Sequence, residues 1–67
     1  MPYANLRGEM AKKGVLIEDI AALLGIHRNS VANKLKGSCA FTTDEAMKIQ
    51  EKYFPDLELK YLFKRGA

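Results

Sequence analysis

Sixty-seven residues, 48% of them apolar and with a net charge of +3, make a single small domain over 1–67 and are too apolar for a disordered chain. No apolar run approaches the roughly 20 residues of a membrane span and no signal-peptide pattern opens the chain, so a cytoplasmic protein away from the membrane is expected. The single cysteine, Cys39, cannot form an intrachain disulfide, and the core alone must hold the fold.

The first predicted helix carries Leu6 and Met10 four apart and closes on Lys12-Lys13-Gly14. That order places cations in a last turn and glycine just beyond it. Lys12 and Lys13 read as partners of the helix dipole, with phosphate contact the alternative. The second helix shows the i, i+3, i+4, i+7 stripe of Ile17, Ile20, Ala21 and Leu24, with Glu18 and Asp19 in its first turn. Gly25 ends it, where a tight turn asks for a positive φ.

A third helix is predicted from about Arg28 to Lys36, with Val31 and Leu35 inward and Gly37 as its stop. Ile26 and Val31 are expected to fill the space between the second and third helices. Thr42-Thr43-Asp44-Glu45 is a capping box opening a fourth helix, whose inner face carries Ala46, Ile49 and Tyr53. Pro55 ends it by biasing Phe54 away from helix. The last helix is predicted from about Glu58 to Lys64, with Leu59, Leu62 and Phe63 in the core. Cys39 is expected to face the interior of its loop. Five helices with short connections make an all-α fold.

The charge is unevenly spread. Residues 1–39 hold six Lys/Arg against three acids, whereas residues 40–67 hold five of each. Burying Val31 and Leu35 turns Arg28, Asn29, Ala32, Asn33 and Lys36 outward on an acid-free face. Arg and Asn can pair bidentately with guanine and adenine edges, and a major groove accepts one helix. Catalysis is not expected. One His and one Cys, twelve residues apart, are too few for a zinc site, and there is no phosphate-binding glycine loop or nucleophile with an arranged base. No cofactor, metal or small-molecule ligand is expected.

The run Ile20 to Gly37, IAALLGIHRNSVANKLKG, resembles the helix-turn-helix of the lambda repressor and Cro superfamily, the Xre-type regulators. The spacing of Ala21, Gly25 and Val31 carries much of the likeness. The tail FTTDEAMKIQEKYFPDLELKYLF is similar to small phage-encoded members. The resemblance implies a five-helix lambda-repressor-like fold and a sequence-specific transcriptional regulator of double-stranded DNA. It places base contacts at His27, Arg28, Asn29, Ala32 and Asn33, and phosphate contacts at Ile17, Ser30, Lys36 and Ser38. His27 also reads as an ordinary surface histidine. Two positions depart from the family. Leu16 and Ile17 stand where it has a capping Ser or Thr followed by Gln, and His27 replaces another capping hydroxyl, which leaves the recognition helix open to fraying.

The family pairs on palindromic operators, so a homodimer is expected, one that forms mainly on DNA. If residues 57–63 are helical, Tyr61 and Leu57 share a face without an intramolecular partner and, with Phe54, form the candidate dimer surface. Two other functions fit the same helices: the antitoxin of a toxin–antitoxin pair, and a protein-interaction module that does not bind DNA.

Overall fold

The computed structural model describes residues 2–66. Its helices are α1 (Ala4–Lys13), α2 (Ile17–Leu24), α3 (Arg28–Lys36), α4 (Thr43–Tyr53) and α5 (Leu59–Leu62), with no strand among the described residues. Helix α2 packs against α3 and α4, and α5 packs against α1 and α4. Each helix sends one fully buried aliphatic side chain into the centre: Leu6, Ile20, Val31, Ile49 and Leu62. Burying such a side chain contributes about 1.5–3 kcal/mol, so each helix has an anchor of its own. The whole measures 25 × 24 × 21 Å.

The inward faces of α1 to α4 and the glycine stops at Gly14, Gly25 and Gly37 lie where the pattern predicts. Gly25 adopts φ 68, and the amide of Ile26 donates to the Ala21 carbonyl at 3.1 Å. A Cβ at Gly25 would meet nothing within 4 Å, so the demand there is conformational and not one of space. At α4 the capping box is complete. The Glu45 amide donates to Thr42 Oγ1 at 3.1 Å and the Thr42 amide to Glu45 Oε1 at 2.9 Å.

The start of α2 is half of such a box. Leu16 has no capping oxygen, but its amide donates to Asp19 Oδ2 at 2.9 Å, so one of the two reciprocal bonds survives. The start of α3 corrects the expected fraying. His27 Nδ1 accepts from the Asn29 amide at 3.0 Å, and imidazole does the work of the missing hydroxyl.

Helix α5 is shorter than expected. It makes a single turn without a side-chain cap, and one turn gains little from its own hydrogen bonds. Beyond Phe63 the chain leaves the helix, and the Arg65 carbonyl accepts from the Tyr3 amide at 3.3 Å. Leu62 is fully buried, but Leu59 and Phe63 are only half-buried. Leu57 lies before α5 and not on it. Cys39 is exposed, against the inward orientation expected of it; the neighbouring loop position that turns inward is Phe41.

Phe41 completes a cluster joining three distant parts of the chain. The rings of Tyr3, Phe41 and Phe63 meet edge to face, with centroids 5.2, 5.3 and 6.2 Å apart. Tyr3 holds a left-handed backbone at φ 56, a conformation that costs about 1 kcal/mol. The residue is 3% exposed, and the burial and edge contacts of its ring offset that strain.

Candidate nucleic-acid interface

Helix α3 presents the residues that the sequence nominates for base contact. Arg28, Asn29, Ser30, Asn33 and Lys36 are exposed, and Ala32 is half-buried. At 3.6 residues per turn, Asn29, Asn33 and Lys36 fall opposite Val31 and Leu35, which are 0% and 4% exposed. Among the described residues, the side chains of Arg28, Asn29, Asn33 and Lys36 make no hydrogen bond or ion pair within the chain. Their donors and acceptors remain free for a ligand. No acid interrupts the chain between Asp19 and Asp44, a longer acid-free stretch than α3 itself.

His27 is exposed at the head of this surface. Because Nδ1 accepts the Asn29 amide, the neutral ring carries its proton on Nε2 and offers that N–H as a donor. One side chain thus caps α3 and keeps a donor at its entrance.

The other end of α3 is held from several directions. The amides of Gly37 and Ser38 donate back to the carbonyls of Lys34 and Asn33 at 3.1 and 3.0 Å. Arg7 Nη2 of α1 donates to the Leu35 carbonyl at 3.0 Å, and Arg7 Nε to the Pro2 carbonyl at 3.3 Å. Arg65 Nη2 donates to the Gly37 carbonyl at 3.1 Å. Lys34 bridges to the Ala40 carbonyl at 3.2 Å and to Glu45 Oε1 at 3.1 Å, so its ammonium is committed to the fold. Partial burial works against the Glu45 charge, but the Thr42 amide and Lys34 outweigh it and hold the carboxyl below its usual range.

The nominated phosphate contacts divide. Ser30, Lys36 and Ser38 are exposed. Ile17 is half-buried against the core, so a contact there reduces to its backbone amide in the first turn of α2. Glu18 and Asp19 occupy the same turn and oppose a phosphate. Lys12 is exposed and lies 3.7 Å from Glu9. Lys13 is engaged elsewhere: it donates to the Tyr53 carbonyl and sits 5.5 Å from the Phe54 ring centroid.

Of the residues nominated for a dimer surface, Phe54 drops out and Tyr61 is not without partners. Phe54 is 3% exposed and belongs to the core at the end of α4, with Lys13 of α1 over its ring. Leu57 is half-buried against that core. Tyr61 is exposed but does have partners within the chain: its hydroxyl donates to Glu9 Oε2 at 2.8 Å, and its carbonyl accepts from Asn5 Nδ2 at 2.9 Å. The bond to Glu9 holds the Tyr61 hydroxyl above its ordinary titration range.

Arg7, Lys34 and Arg65 went unnominated for good reason. Arg7 and Arg65 meet α3 across 28 residues of sequence, and no local pattern encodes such a pairing. No helix among the described residues is long and apolar enough to cross a membrane. The chain matches no protein-family model, no curated protein and no solved structure.

Proposed function

We propose that this chain is a sequence-specific DNA-binding transcriptional regulator of lambda-repressor-like fold that lays α3 in the major groove. The observation that carries this reading is the outward face of α3, where Arg28, Asn29, Asn33 and Lys36 stand exposed and unengaged within an acid-free stretch. Phosphate contacts from Lys36, Ser38 and Ser30 would supply most of the affinity, and Arg28, Asn29 and Asn33 the readout. One helix reads few base pairs, so a homodimer on a palindromic operator supplies the rest. Tyr61, with the rim of Leu57, is the part of the nominated dimer surface still open to a partner.

Selection of bound sites from random duplex DNA tests this reading. An enriched palindrome supports it, and a lack of salt-sensitive enrichment defeats it. On an enriched site, Asn33→Ala should lose specific binding and spare non-specific binding. Lys36→Ala should weaken both alike and flatten the log–log salt dependence by about one unit.

A second reading has one observation in its favour. Leu16 is 59% exposed, at the rim of a hollow lined by Met10, Ala11, Val15 and Ile17. An antitoxin or interaction module would cover such a spot with a protein partner. Co-purification of a stoichiometric partner, lost in Leu16→Lys, would favour it.

A further inference from the structure

The segment after α3 carries the residues expected to meet phosphate, Lys36 at the helix end and Ser38 beyond it. Two other segments close over it. Gly37 stands at φ 90, and a Cβ there would lie 3.1 Å from Pro2 Cγ and 3.2 Å from Arg65 Nη2. Arg65 is the centre of this junction. Its Nη2 donates to the Gly37 carbonyl at 3.1 Å, its guanidinium carbon lies 5.5 Å from the Tyr3 ring centroid, and its own carbonyl accepts from the Tyr3 amide at 3.3 Å. The aromatic face limits where the guanidinium can go, and the charge strengthens its bond to the carbonyl.

We propose that Arg65 is a positioning residue for DNA binding, latching the loop after α3 so that Lys36 and Ser38 meet the phosphate backbone together. The inference rests on the DNA-binding reading. The bond also engages the Gly37 carbonyl, whose bare oxygen would otherwise stand beside those contacts and repel a phosphate. Arg65 acts through the loop, without needing to touch DNA itself. Lysine at this position would keep the charge but lose the planar fork that spans carbonyl and ring.

The test uses the full chain and fluorescence anisotropy with a short mixed-sequence duplex over a range of salt. Arg65→Ala should weaken binding roughly tenfold near 0.1 M salt and flatten the salt slope by about one unit, the loss of one phosphate contact. Arg65→Lys should recover part of the affinity. In the free protein, Arg65→Ala should speed exchange of the Gly37 and Ser38 amides, which donate to the Lys34 and Asn33 carbonyls, while α1 and α2 exchange as before. Because both residues act through one loop, Arg65→Ala and Lys36→Ala combined should lose little more than either alone.

Additive losses would make Arg65 an independent contact and overturn the inference. So would unchanged loop exchange, or Arg65→Ala binding as tightly as the wild type. A wild-type chain without salt-sensitive duplex binding would instead defeat the DNA-binding reading itself.

Discussion

Helix α3 begins on one side-chain hydrogen bond between near neighbours, from the Asn29 amide to His27 Nδ1. It ends on side chains that arrive from opposite ends of the chain, Arg7 from α1 and Arg65 from beyond α5. The start is exposed and local, so it can be remodelled without disturbing anything else. The end is long-range, so it cannot move unless much of the fold moves with it. In the proposed function this division suits the two tasks. The residues nominated for base contact cluster toward the adjustable start, where side chains must adapt to a groove. Lys36 and Ser38, nominated for phosphate, sit at the anchored end, where register is set.

The contrast can be broken most severely in the middle. Val31 is fully buried and supports both ends, so Val31→Ala should cost on the order of 1–3 kcal/mol. Amide exchange should rise at both ends of α3 together. A stability loss confined to one end would mean that the ends are held independently of this contact.

Arg7→Ala attacks the anchored end alone. It leaves the Leu35 carbonyl without its charged donor, and the expected loss is about 1–2 kcal/mol by chemical denaturation. Exchange should rise around Leu35 to Ser38 and stay unchanged at Asn29. His27→Ala attacks the start alone and should cost about 0.5–1 kcal/mol. His27→Ser, which restores a hydroxyl cap, should regain it. If His27→Ala and His27→Ser prove equally stable, the imidazole is not the cap in solution.

The smallest effect concerns Glu45, which holds Lys34 at the anchored end. Its carboxyl titrates lower in the folded chain than in the unfolded one. Its contribution is therefore complete above the ordinary carboxylate range, near pH 4.3, and is lost as pH falls through the lower folded-state value. Melting curves on acidification should show a loss in the wild type that is reduced in Glu45→Gln. Identical acid profiles would remove Glu45 from the account.

The same division explains what could be read from the residues. Apolar stripes, the T-x-x-E box and the turn at Gly25 are interactions over three to five positions, and local patterns encode them. The Asp19 bond to the Leu16 amide is as local, but without a hydroxyl at Leu16 the pattern loses its familiar half. His27 as a cap was hidden by chemistry: imidazole is an uncommon acceptor at that position, though its Nδ1 reaches the right amide. The outward face of α3 was legible because Val31 and Leu35 fix it by period alone. The length of α5 was not, since the chain there breaks off to meet Tyr3. Phe54, and the expectation that Tyr61 has no partner within the chain, misled for a related reason. A helical wheel shows which face a residue occupies, and not that Phe54 joins the core at the end of α4 or that α1 supplies Glu9 to Tyr61.

The junction of Tyr3 with Arg65 has a consequence for the order of events in synthesis. It closes nearly the whole chain into one loop, so it carries a larger closure entropy than any local pairing in the molecule. A ribosome-bound chain whose residue 65 is still in the exit tunnel is limited to local structure in the segments that have already emerged. It cannot place a guanidinium over Tyr3 or on the Gly37 carbonyl. The far end of α3 is therefore closed only once residue 65 has emerged.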